Sequence, residues 1–93
     1  MEKSSSEIYK KAQMYHEQFE LNKAIKLYQK AIDIESKAEY HSNLGLAYQQ
    51  KGWNSYAQTQ FRLALESNPD DEIALRYYKG EREEGGISLT KTT

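Results

Sequence analysis

Apolar residues along this chain recur at intervals of three and four, the spacing of helices that bury one side. Ile8, Ala12 and Tyr15 make the first such stripe. Ser4 and Glu7 stand at capping-box spacing, so a helix is expected to begin there and to end near Glu17. A second run from Ala24 to Ile34 is strongly amphipathic, and Asn22 is placed to cap it. Ser36 with Glu39 offers another capping box, opening a helix whose Leu44, Gly45 and Tyr48 share a face. In the following Lys51-Gly52-Trp53-Asn54-Ser55, Gly52 suits a left-handed helix stop, and Ser55 with Gln58 suits a further capped start. Ala57, Phe61, Ala64 and Leu65 line one face of the fourth helix. Asn68-Pro69-Asp70-Asp71 carries the start signals of a fifth, which Gly80 should end. Leu75 and Tyr78 fall at its packing positions, with Lys79 where Gly45 stood, and Ile73, Ala74 and Tyr77 are expected on its outer side. Beyond it, EREEGGISLTKTT has charge, paired glycines and no sustained period, so residues 80–93 are expected to be a flexible tail.

The stripes repeat. Ala12 and Gly45, Tyr15 and Tyr48, Ala24 and Ala57, Tyr28 and Phe61, and Ala31 and Ala64 are each 33 residues apart. Two unrelated helical pairs would drift in register, so the shared offset marks an internal repeat. Small residues alternate with rings at these positions. Gly45 and Ala57 let two helices approach closely while Tyr48 and Phe61 fill the space beside them.

The second unit resembles a tetratricopeptide repeat, whose pattern runs W-x2-L-G-x2-Y, then A-x3-F, then P. Here His41 is followed by Leu44-Gly45 and Tyr48, then Ala57 and Phe61, then Ala64 and Pro69. His41 replaces the leading aromatic. In the first unit Lys11 stands in the place of Leu and Ser36 in the place of Pro, and the offset is one short of the family's usual 34 residues. The resemblance implies an all-α fold, antiparallel helical hairpins stacked as a short solenoid of five helices. It divides a domain over residues 1–79 into repeat one (5–37), repeat two (38–70) and a capping helix (71–79). Two units and a half fall short of the roughly three repeats that such stacks need for stability, which puts weight on the terminal helix.

Composition narrows the chemistry. Among 93 residues, 13 are basic and 14 acidic, leaving a net charge of -1, and there is no cysteine. No overall field draws nucleic acid or a lipid surface, and neither disulfides nor thiolate chemistry can occur. Lys10, Lys11, Lys23, Lys26 and Lys30 are interleaved with tyrosines, but Glu7, Glu17, Glu20, Asp33 and Glu35 offset them locally. No apolar run is long enough for a membrane span, and MEKSSSEIYKK is unlike a secretory signal; a cytoplasmic setting is the simple expectation. The histidines, His16 and His41, have acidic neighbours only one or two residues away, which do not face them on a helix. Neither makes an acid–base dyad or a metal site, and His41 is expected to pack at a hairpin joint. Gly85-Gly86 is followed by no helix and so forms no phosphate loop. An enzyme is not expected, nor any metal or other cofactor.

The resemblance also implies a function. In tetratricopeptide proteins the first helices of the hairpins line a concave groove that binds a peptide or helix of a partner protein. Carried onto this chain, the groove set is Tyr9, Gln13 and His16, then Ser42, Asn43, Leu46, Gln49 and Gln50, then Ile73, Arg76 and Tyr77. From Tyr40 to Gln50 there is no formal charge, and amides can serve both the donors and the acceptors of a peptide backbone. The carboxylate clamp of the family's co-chaperones is matched only at Asn43: Gln13, Tyr9, Ile73 and Tyr77 replace its other members, so an acidic chaperone tail is not expected to bind. The alternative is an assembly domain that forms a homodimer, or packs within a longer chain, through its terminal helix, with Ile73 and Tyr77 in the contact.

Overall fold

A computed structural model describes residues 4–80, and the expected tail falls outside them apart from Gly80. Five helices follow one another: α1 (Ser5–Glu17), α2 (Leu21–Ile34), α3 (Ala38–Gln50), α4 (Asn54–Ser67) and α5 (Glu72–Tyr77). No strand occurs among the described residues. Each helix packs on the next in chain order, and α5 also reaches α3. The result is an elongated stack, 54 × 24 × 18 Å, of two hairpins and a closing helix.

The ends of α1 follow the sequence. Ser4 Oγ accepts from the Glu7 N–H, and the Ser4 N–H donates to Glu7 Oε1, both at 3.2 Å. At the other end, the Glu20 N–H reaches Tyr15 O at 2.8 Å and the Phe19 N–H reaches His16 O at 2.9 Å. Thirty-three residues later, Trp53 and Gly52 make the same pair of bonds to Tyr48 and Gln49, each at 2.9 Å. Both turns are therefore Schellman stops, which place one residue in the left-handed region. Gly52 (φ 84°) takes that position in the second hairpin, as expected, but Phe19 (φ 61°) takes it in the first.

Three expected caps are corrected. These tight stops leave no room for a separate capping residue, so α2 starts at Leu21 behind Glu20 and α4 at Asn54 behind Trp53, with no side-chain cap on either. Asn22 and Ser55 thus lie inside first turns. Helix α3 starts behind Lys37, also without a side-chain cap; Ser36 Oγ instead lies 2.8 Å from His41 Nε2. Gln58, expected in a capping box, holds the exit from α5: its Nε2 donates to Tyr77 O (3.1 Å) and its Oε1 accepts from the Lys79 N–H (2.8 Å).

One continuous core runs through the stack, from Ile8, Ala12 and Tyr28 through Tyr40, Leu44 and Phe61 to Ala74. At its tightest point a Cβ built on Gly45 would lie 2.6 Å from Phe61 Cε1, so the glycine is what lets α3 and α4 close. His41 is buried at a joint, as expected, between Ser36 and Gln60 Oε1, which lies 2.8 Å from its Nδ1.

Helix α5 departs from expectation. Ala74 is fully buried, Ile73, Tyr77 and Tyr78 pack against the core, and Leu75 is 59% exposed. The 33-residue register persists, placing Ala74 at the position of His41 and Tyr77 at that of Leu44. A reading shifted by one residue turns the helix by about 100°, which is why Leu75 was expected inward and Ile73, Ala74 and Tyr77 outward. The helix also stops at Tyr77, ahead of Gly80, where Tyr78 turns extended.

Candidate functional site: the hydrogen-bonded floor between α1 and α3

Helices α1 and α3 meet through side chains. The rings of Tyr9 and Tyr40 stack with centroids 4.4 Å apart. Above them Asn43 Nδ2 donates to Tyr9 Oη at 2.9 Å, and Gln13 Nε2 donates to the same oxygen at 3.2 Å. Asn43 Nδ2 also donates to Glu39 O at 2.9 Å, fixing the amide on its own helix. One turn along, His16 bridges two elements: Nδ1 lies 2.8 Å from Tyr28 Oη and Nε2 lies 2.7 Å from Gln50 Oε1. An amide oxygen only accepts, so the Nε2 proton donates to Gln50 and the Tyr28 hydroxyl donates to Nδ1. Gln13, His16, Glu17, Tyr28 and Asn43 line a shallow pocket of about 200 Å³ over this floor.

The two tyrosines stand in the core and put their oxygens into this floor. Burial pushes the Tyr9 hydroxyl well above its usual range, reinforced by the nearby Glu39, Tyr28 and Tyr40. Burial raises Tyr28 likewise, with the Glu17 charge adding to it. Both are therefore neutral donors, and catalysis by a tyrosinate is disfavoured here. Among the described residues no group of three or more His, Asp or Glu could hold a metal ion.

The expected groove residues divide. Tyr9, Gln13, His16, Asn43 and Gln50 join in the networks just described, although Tyr9 is only 7% exposed and offers its hydroxyl alone. Gln49 is exposed on the same helix, and Leu46 is half-buried against the core. Ser42 does not face the groove: it is fully buried, and its Oγ contacts Asp71 Oδ2 and Glu39 O, each at 3.2 Å. Asp71 in turn caps α5 through the Ala74 N–H at 2.9 Å, so Ser42 ties α3 to α5. Ile73 and Tyr77 are likewise turned into the packing, Tyr77 stacking on Phe61 at 6.0 Å. Arg76 is exposed, at the position that Asn43 holds one unit earlier.

Sequence reasoning missed Glu17, Glu39 and Tyr28. Tyr28 comes from α2, a second helix, and its core position hid it. The available signal was its hydroxyl: Phe61 fills the same position without one, and a buried phenol needs a partner.

Hairpins stacked in chain order, with a small residue facing a ring at a fixed period, define a helical-repeat protein. The chain belongs to the tetratricopeptide repeat family: a TPR repeat model matches residues 12–52 and a tetratricopeptide repeat model matches residues 38–71. Repeats of this family generally mediate protein–protein interaction and are generally non-catalytic. No curated protein and no solved structure matches the chain. No helix among the described residues is long and apolar enough to cross a membrane.

Proposed function

We propose that the chain is a non-catalytic adaptor or scaffold module that holds a peptide or helix of another protein along the side formed by α1, α3 and α5. The observation that supports this most is the pre-organised floor between α1 and α3. Tyr9, Asn43, His16 and Gln50 are fixed by hydrogen bonds across the two helices, so a ligand ordering against them meets side chains whose rotamer freedom is already reduced. Gln49 on α3 and Arg76 on α5 also stand exposed. A cytoplasmic setting goes with this reading.

Affinity capture from the native cell, with Gln49→Ala/Arg76→Ala as control, is the test. Both side chains are exposed, so the variant keeps the wild-type melting curve and loses the captured partner. Equal capture by both proteins rejects the groove.

A second reading has one observation in its favour. Leu75 lies exposed on the terminal helix, in place of the inward position expected for it, and a second copy of the chain could cover it. Sedimentation at high micromolar concentration decides: a dimer that Leu75→Glu returns to monomer supports assembly, and a wild-type monomer removes it. Ile73 and Tyr77, packed inward, drop out of that contact.

A further inference from the structure

The hydrogen bonds on the groove floor use most of the donors that it holds. Gln13 Nε2 and Asn43 Nδ2 both donate to Tyr9 Oη, and Asn43 Nδ2 also serves Glu39 O. Both protons of the Asn43 amide are thereby used and one of the Gln13 amide; the oxygens left at the pocket these residues line, Gln13 Oε1 and Asn43 Oδ1, can only accept. His16 is engaged at both ring nitrogens, and the Tyr28 hydroxyl proton is taken up by it. Carboxylates flank this surface. Glu17 lines the pocket beside Tyr28, and Glu39 lies beside the Tyr9 hydroxyl.

Within the described residues neither carboxylate has an ion-pair partner. Among the described residues the ion pairs are Lys37–Glu35 and Arg62–Glu66, both elsewhere. The groove helices do carry cations: Lys10 and Lys11 on α1 and Arg76 on α5. Lys10 and Lys11 lie about two turns from Glu17, and none of the three pairs with Glu17 or Glu39 within the described residues. The pocket is thus rich in acceptors and negative charge, and one Gln13 N–H is the amide donor it has left over.

We propose that this pocket receives a lysine or arginine side chain of the partner segment, its N–H groups meeting Gln13 Oε1, Asn43 Oδ1 and the Glu17 carboxylate, with Glu39 at the rim. The proposal rests on the groove reading above and names the chemistry of what the groove takes. An acidic side chain would find a single amide donor there, the remaining Gln13 N–H, against several acceptors and like charge. A cation supplies the charge-assisted hydrogen bonds that the site cannot make for itself.

A random twelve-residue peptide library selected on the full chain tests this. The expected consensus contains a fixed lysine or arginine. A synthetic peptide of that sequence should shift the amide resonances of Asn43, Gln49 and Gln50. Replacing its basic residue by norleucine should weaken binding about tenfold or more, as should Glu17→Gln/Glu39→Gln in the protein. Glu66→Gln, on α4, should leave binding unchanged. Both pocket carboxylates are exposed, so the double variant should fold, which its melting curve checks. Peptides that shift the same resonances with no basic residue required, or with affinity indifferent to Glu17→Gln/Glu39→Gln, overturn the cation site and leave the groove standing. Selected peptides that leave those resonances unmoved, or a selection that enriches nothing, overturn both.

Discussion

The two hairpins solve one packing problem in two ways. At equivalent positions the first carries Ala12 and Tyr28 and the second Gly45 and Phe61. In the second, the ring comes within 2.6 Å of where a Cβ would stand, and it stacks on Tyr77. In the first, an alanine is accommodated, and the ring carries a hydroxyl that reaches His16 at 2.8 Å. One ring is therefore committed to packing, against α3 and the terminal helix. The other packs and also organises the hydrogen-bonded floor between α1 and α3. The repeat position sets the shape that is needed, while a single oxygen atom decides whether that shape is connected to the surface.

Gly45→Ala should separate the hairpins most sharply. Phe61 is fully buried and held by Tyr77, so it cannot give way freely. A loss of about 1–3 kcal/mol is expected in urea denaturation. Pairing the change with Phe61→Leu should cost clearly less than the sum of the two single losses. Strict additivity would mean that the ring and the glycine are not in conflict, and the contrast between hairpins would fall.

Tyr28→Phe should cost about 1 kcal/mol, because His16 Nδ1 loses its donor. The substitution also has a signature in pH. Tyr9 and Tyr28 are both raised above the ordinary value of 10.0, so between that value and their folded values the native chain keeps protons that the unfolded chain has lost. Stability is then fully present below about pH 10 and falls as pH rises above it. Urea midpoints taken on either side of pH 10 should show this fall, and Tyr28→Phe should make it shallower. An unchanged alkaline slope would show that the first hairpin's ring is as indifferent to its hydroxyl as Phe61 is to lacking one.

The smallest effect concerns the turns. Phe19 adopts φ 61° where its counterpart Gly52 adopts 84°, and the Phe19 side chain is 65% exposed. Phe19→Gly removes a left-handed strain of about 1–2 kcal/mol but adds freedom to the unfolded chain, so a net gain below about 1 kcal/mol is expected. A lowered melting temperature would mean that the phenyl ring contributes packing that offsets its strain.

Much of this architecture was legible because it is periodic. The 33-residue offset links side chains that must meet, and the Ser4–Glu7 box and Gly52 are local signals with local causes. The errors share a physical source in the joints between helices. Asn22, Ser36 and Ser55 have the right chemistry for caps, but Schellman turns followed by a single spacer bring the helices in too soon for Asn22 and Ser55, and His41 diverts Ser36. Helix α5 lies one residue from the expected register because its short sequence, ending in adjacent Tyr77 and Tyr78, offers two plausible stripes; the constant register chooses Ala74 and Tyr77. Of the candidate site, Gln13, His16, Asn43 and Gln50 could be picked out from sequence, and on α1 and α3 they share one hydrogen-bonded floor. It was not legible at Ser42, whose hydroxyl answers Asp71 from a distant helix, or at Tyr28, whose ring and oxygen belong to different regions of the molecule.

Tyr9 and Tyr28 each carry a ring in the interior and an oxygen at the trough. A molecule that grips those oxygens through their neighbours can do so only while the rings beneath keep their places, so its grip and the chain's folding form one coupled equilibrium. For so short a stack, the proposed cargo would act as a structural strut: its arrival would raise resistance to heat and proteases, and its departure would lower it again.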